Sequence, residues 1–430
     1  MYIHRLFIIL LTILLLIISC KKKDNKPLTI SIVSGSVGKE LKVLEEQIAI
    51  FEGLNPDIDV VLIESPETQD RKYKQYVNWL KDSTSGIDIY VIDIVWTAEF
   101  AEKGWLIPLN DYIKAGNIDI NDFLHSAIKA DKWKGHIIAL PWFTDAGILY
   151  YRKDLLKKYS LKVPDTWEEL ELVAKEIVRK ERKENPYIVG FVFQADKYEG
   201  LTANYLEYIR GEGTDVFNNK GEVILNNQKA IKGLETYIKM LKISAPGILV
   251  FQEEDGRNYF QSGNSVFMRN WPYAWSLLNG ENSDVKDKFS IAPLPGGQSG
   301  LKGISTLGGW HLAISSYSQY PEEAFKLISF LTSARQQSYK AIRAGQSPTR
   351  KTCYQDPQVI EANSYTKYLF DIVQMAYPRP VHPEYSKISR IIQQEVYSAL
   401  GGKKTPALAT DTMAKEIKKI ISGKDISEKY

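Results

Sequence analysis

Four short segments set aromatic rings beside charged hydrogen-bonding side chains: Asp93-Ile-Val-Trp96, Pro141-Trp-Phe-Thr-Asp145, Arg269-Asn-Trp-Pro-Tyr273 and Leu307-Gly-Gly-Trp-His311. Flat rings suit the apolar C–H faces of a polyhydroxylated ring, while Asp, Glu and Arg bridge its neighbouring hydroxyls through charge-assisted hydrogen bonds. The combination points to non-covalent recognition of a sugar. Each segment also has a plainer use, because the nine Trp of this chain belong mostly to cores and an Asp after a strand commonly caps or turns the backbone.

Bond-making chemistry is poorly represented. The five histidines include no H-x-x-x-H pair, and neither G-x-S-x-G nor G-x-G-x-x-G occurs. Gly35-Ser-Val-Gly-Lys39 falls short of a phosphate loop, since Val33 stands at the first glycine position and Glu40 follows the lysine. Two cysteines, Cys20 and Cys353, exclude a disulfide scaffold and a Cys-rich metal site. Tyr150 and Tyr151 are strand neighbours and face opposite ways, one to the core and one outward, so they form no pair of metal ligands. Neither a metal nor a cofactor is called for.

The elements that must position these groups read as an α/β protein. Leu28–Val33, Ile58–Ile63 and Ile87–Ile92 are β-rich runs; between them Leu41, Leu44, Ile48 and Phe51 recur at helical spacing, and Arg71 to Lys81 is a second helix. This β-α-β-α-β order implies a parallel sheet with helices on both faces, whose ligands bind beyond the carboxyl ends of the strands, near Gly35, Asp93 and Trp96. Strands at 137–141 and 147–151 follow. Pro164-Asp-Thr166 is the start signal of a long helix, and a second α/β unit runs on through strands at 187–193, 265–269 and 289–292. An apolar strand at 307–315 leaves a Gly/Pro loop, and helical patterns at 322–332, 334–344, 357–375, 384–400 and 407–421 complete the chain.

At 430 residues the chain exceeds what a single core can fill. The formal net charge of +3 is too small for a nucleic-acid binder, and most of it is at the N-terminus. His4-Arg5, the apolar run from Leu6 to Ile18 and Ser19-Cys20 form a secretory signal too short to span a bilayer. Ile17-Ile18-Ser19-Cys20 resembles a bacterial lipobox, with Cys20 as the lipidated first residue of the mature chain. A basic stalk follows to Pro27, and the residues beyond it carry a net −1.

Taken in order, Ile48-Ala-Ile-Phe-Glu-Gly-Leu-Asn-Pro56, Ile92-Asp-Ile-Val-Trp96, Gly104-Trp-Leu-Ile-Pro-Leu109, Asp145-Ala-Gly-Ile-Leu-Tyr-Tyr-Arg-Lys-Asp154, Arg269-Asn-Trp-Pro-Tyr-Ala-Trp275, Thr306-Leu-Gly-Gly-Trp-His311 and Pro378-Arg-Pro380 carry a resemblance. The chain resembles the extracellular solute-binding proteins of bacterial ABC sugar importers, most closely the trehalose/maltose-binding type. That resemblance implies a type II, periplasmic-binding-protein-like fold of two lobes, each a mixed sheet flanked by helices and joined by hinge crossovers. One lobe would take 28–144 and 305–350, the other 148–303 and 352–430, after a signal peptide at 1–19 and a stalk at 20–27. It further implies that Glu40, Asp93 and Asp145 accept sugar hydroxyls, that Trp271, Tyr273 and Trp310 stack on rings, that Gly309 admits the ligand to the backbone and that Arg379 donates. Trp96 joins this set beside Asp93. Arg71 and Lys72 compete for one basic position, and Phe143 stands where the trehalose/maltose type tends to have Tyr. The expected partners are a disaccharide, the membrane permease and, through Cys20, the outer face of a bacterial membrane; the protein is expected to act as a monomer. Two rival readings use the same side chains, a secreted glycoside hydrolase and a sugar-sensing lipoprotein without a transport role.

Overall fold

The computed structural model describes residues 27–35, 40–66, 68–83, 86–297 and 301–423. The signal, Cys20 and most of the stalk lie outside the described residues. Twelve strands are present among the described residues: β1 (Leu28–Ser34), β2 (Ile58–Glu64), β3 (Ile89–Asp93), β4 (Lys132–Trp133), β5 (His136–Ile137), β6 (Ala139–Ala146), β7 (Ile148–Arg152), β8 (Val189–Val192), β9 (Ser265–Asn270), β10 (Phe289–Ala292), β11 (Thr306–Ile314) and β12 (Tyr377–Pro378).

The first sheet runs β2-β1-β3-β11-β12, with β6 also on β11. Strands β1, β2 and β3 are parallel, as their β-α-β-α-β spacing dictates. Strand β11 is antiparallel to both β3 and β6, so the sheet is mixed. Helix Glu40–Leu54 covers it with Val43, Leu44, Gln47, Ile48 and Phe51, a stripe at spacings of three and four. Ile30, Ile32, Val91, Leu140 and Leu312 form the core beneath. Burying each such side chain contributes about 1.5–3 kcal/mol.

The second sheet has the order β10-β7-β9-β8, with β7 antiparallel to its neighbours and β8 parallel to β9. Helix Trp167–Glu181 packs on it and starts with the reciprocal cap that the sequence signals: Glu169 N–H donates to Thr166 Oγ1 at 3.2 Å, and the Thr166 N–H donates back to Glu169. Helices Glu199–Gly211, Gln228–Met240, Tyr385–Leu400 and Pro406–Ile421 cover the rest. The apolar pattern at 357–375 forms two helices, Pro357–Ala362 and Thr366–Met375, because Asn363 turns in to donate to the Ala341 carbonyl at 2.8 Å.

Two connections between the sheets lie side by side. Chain passes from β6 to β7 through Gly147 and returns from β10 to β11 through Ser305. The Ser305 hydroxyl donates to the Gly147 carbonyl at 2.6 Å, and Thr306 N–H donates to Glu207 at 3.1 Å. Glu207 is also gripped bidentately by Arg269, both nearly inaccessible. A Cβ at Gly147 would collide with this pair, which is why the crossover carries a glycine.

Candidate functional site

A cavity of ≈ 460 Å³ opens between the two sheets, within the range of small-molecule sites. Strand pairing builds its first wall. Trp310 of β11 stands opposite Asp93 at the end of β3 and opposite Phe143 of β6, and Gly308 opposite Asp145. Three of the four aromatic-charged segments are thereby brought into one patch of sheet. A register break between Trp310 and His311, together with φ of +144° at Gly309, turns the strand at this point. A Cβ at Gly309 would stand 2.7 Å from the Phe143 carbonyl, so only glycine lets the strands approach here.

Glu40 begins its helix, where the dipole favours a carboxylate, and accepts from Ser34 Oγ at 2.9 Å and from Gln346 Nε2 at 3.4 Å. Asp93 accepts from Val95 N–H at 3.2 Å, the capping use expected of an Asp after a strand, and also from Gln69 Nε2 at 3.3 Å. Its strongest partner is Arg379, which donates through Nη2 at 2.7 Å and through Nη1 to Glu199 at 2.8 Å. Tyr385 and Ser389 also donate to Glu199. A buried guanidinium therefore ties the first sheet to helices Glu199–Gly211 and Tyr385–Leu400. Burial pushes Glu199 above the usual carboxylate range, against the pull of Arg379.

The Asp145 carboxyl accepts no hydrogen bond from the described residues, and Asp145 lines the cavity. Burial, with Glu40 and Asp93 adding repulsion, pushes its pKa up to about 7.

The facing wall follows β9. Trp271 Nε1 donates to Glu253 at 3.2 Å and the Tyr273 hydroxyl to Glu254 at 2.7 Å. The Arg269 guanidinium sits 3.9 Å over the Trp271 ring, behind the cavity. Both rings are hydrogen-bonded at one end and Trp271 is also braced by a cation, which makes them fixed platforms.

Of the residues singled out in the sequence, Glu40, Asp93, Phe143, Asp145, Trp271 and Tyr273 line this cavity, as do Gly309, Trp310 and Arg379. Trp96 and Arg71 do not. Trp96 is buried behind the wall, edge-on to Trp310 at 5.7 Å. Arg71 is exposed, whereas Lys72 is buried with Nζ 3.9 Å over the Trp310 ring. Lys72, Tyr76 and Leu80 share the buried face of helix Gln69–Asp82, so a spacing of four would have identified the lysine.

Sequence reasoning missed Tyr198, Glu199, Glu253 and Glu254, all of which line the cavity. Glu253 and Glu254 open helix Glu253–Gln261, whose first turn is almost wholly acidic and offers no apolar period to read. Its Gln252-to-Asp255 capping pair was the available signal.

A site of this kind holds a solute between two walls, with rings for apolar faces and carboxylates for hydroxyls. Comparison with known proteins gives the family and the fold. The family model described as bacterial extracellular solute-binding protein matches residues 35–338, more than half of the chain. The chain belongs to the bacterial extracellular solute-binding protein family. It is 38% identical over 367 residues to a probable ABC transporter-binding protein of Deinococcus radiodurans, covering 84% of this chain and 86% of the relative. An arabinooligosaccharide-binding protein of Bacillus subtilis is 26% identical over 351 residues, 77% of this chain and 78% of the relative. Among solved structures, maltose-bound MalE3 of T. maritima superposes with a TM-score of 0.86 at 41% identity, covering 91% of this chain and all (100%) of that one. A Thermotoga lettingae solute-binding protein bound with alpha-D-tagatose gives 0.82 at 28% identity, over 92% of this chain and 100% of that one. The two-lobed, type II binding-protein fold follows from these likenesses.

Proposed function

We propose that this protein captures a neutral sugar, a disaccharide such as maltose or trehalose, between its two lobes and delivers it to the membrane permease of an ABC transporter. One observation carries the reading: Trp310 from the first sheet and Trp271 and Tyr273 from the second line the same ≈ 460 Å³ cavity with Glu40, Asp93 and Asp145. In this reading the rings stack on sugar faces and the carboxylates accept hydroxyls. Arg379 donates through Nε, which is buried and has no partner among the described residues. The likeness to a maltose-bound protein at 41% identity supports the choice of sugar.

Opposite walls belong to opposite lobes, proposed as 28–144 with 305–350 and 148–303 with 352–430. A solute touching both favours the closed arrangement through contacts that an open one lacks. The closed monomer then docks on the permease, and no bond is made or broken. Extracytoplasmic placement accords with the family, and a lipid on Cys20 would hold the protein at the membrane surface.

A thermal-shift screen across mono- and disaccharides tests this. A ligand at about a hundred times its Kd adds about 2.7 kcal/mol to folding stability, so maltose or trehalose is expected to raise Tm by several degrees. No response to any saccharide would refute the sugar. Glucose released from either disaccharide would replace capture by hydrolysis.

A further inference from the structure

Helix Ala334–Ala344 contributes one side chain that neither the fold nor the proposed sugar contacts explain. Lys340 is only 1% exposed, and its Nζ has no hydrogen-bond partner among the described residues. The ammonium rests against the faces of Trp142 and Phe143, 4.3 Å from the centre of the latter ring. Lys340 does not line the cavity, but Phe143 does. A buried ammonium without hydrogen bonds is costly unless opposite charge stands close.

The charges facing Lys340 are Glu40 and Asp145, both in the cavity wall. Those facing Asp145 are Glu40, Asp93, Lys340 and Arg269. Arg269 is committed to Glu207, and Asp93 to Arg379. Lys72 faces Glu40 and Asp93 from beneath Trp310. Among the described residues Lys340 is therefore the uncommitted cation facing Asp145, whose carboxyl has no donor of its own.

We propose that Lys340 is a positioning residue of the sugar site: from behind the Phe143 ring its ammonium favours the ionised, hydrogen-bond-accepting form of Asp145 toward the hydroxyls of the bound solute. This rests on the sugar reading above. Burial pulls the lysine well below its ordinary pKa and the facing carboxylates oppose that pull, so Lys340 and Asp145 titrate as a coupled pair. With the cation in place Asp145 sits at about 7; without it the carboxyl rises further, so its protonated form persists above neutral pH and it is no longer a pure acceptor there.

The test is calorimetric titration of the full chain with maltose and with trehalose. It is run near about pH 5.5, 7 and 8.5, in buffers of different ionisation heat, on wild type and Lys340→Met. Methionine replaces the four-atom stem of the lysine without its charged end and suits the aromatic cage. The variant is expected to fold with Tm at or above wild type, to bind about tenfold more weakly near neutrality, and to exchange a different number of protons on binding. Equal affinity and equal proton exchange at every pH would reduce Lys340 to a packing residue and overturn the proposal. If the methionine variant does not fold, Lys340→Gln is read the same way, and wild-type affinity that is flat with pH overturns the proposal by itself. A wild type that binds neither sugar refutes the sugar reading and this proposal with it.

Discussion

Arg379→Met removes the guanidinium that joins Asp93 to Glu199. Both ion pairs are short, 2.7 and 2.8 Å, and all three side chains are nearly inaccessible. Deleting one partner of a buried pair leaves charge uncompensated and costs about 3–5 kcal/mol. The loss should depend on pH in a definite sense. Glu199 already sits above its ordinary range because of burial, and Arg379 is the largest influence holding it down. In the variant it rises further, so the folded state binds its proton more tightly than the unfolded chain does. That contribution is fully present below about pH 4, and stability falls as pH rises from there through the raised pKa. Urea unfolding of ligand-free protein should therefore show a small difference from wild type near about pH 4.5, growing to about 3–5 kcal/mol near about pH 7.5. A loss below about 1 kcal/mol at the higher pH, or the same loss at both, would refute the reasoning. The first would mean that the bridge is solvated, the second that only packing was lost.

Trp271→Ala and Trp310→Ala should each weaken sugar binding by at least about tenfold in calorimetry, with Tm reduced by only a few degrees because both rings are half-buried; unchanged affinity removes that residue from the site. Gly309→Ala should cost both stability and affinity, since φ of +144° and the Phe143 carbonyl leave a Cβ no place; a fully stable variant by thermal unfolding would contradict the turn described. Asp145 has a folded pKa near about 7 against 3.8 when unperturbed, so its protonated form stabilises the fold and that contribution is lost as pH rises from about 4 to about 7. Asp145→Asn should then gain on ligand-free wild type across that window by at most about 4 kcal/mol, and a Tm difference constant with pH would count against it.

How far the sequence carried depends on the kind of order involved. Strands β1 to β3 and their helices were legible because apolar period and short connections leave little choice of topology. The insertion of β11 between β3 and β6 was not, because it joins segments more than 150 residues apart. Yet that insertion is what sets Trp310 between Asp93 and Phe143. The motifs were thus visible singly, and their meeting was carried only by the family resemblance. Arg71 and Lys72 show the same limit locally: adjacent and chemically alike, they differ in which helix face they occupy. Lys340 gave no signal at all, since a lone lysine in a polar helix reads as a surface residue until the structure buries it.

The central claim is capture of a sugar without chemistry, and a single calorimetric titration of wild-type protein with maltose, repeated with trehalose, reads both halves. The account predicts discrete heats that saturate at one sugar per chain and return to baseline after each injection. Absence of heat with both sugars, or a sustained signal from continuing turnover, would contradict it.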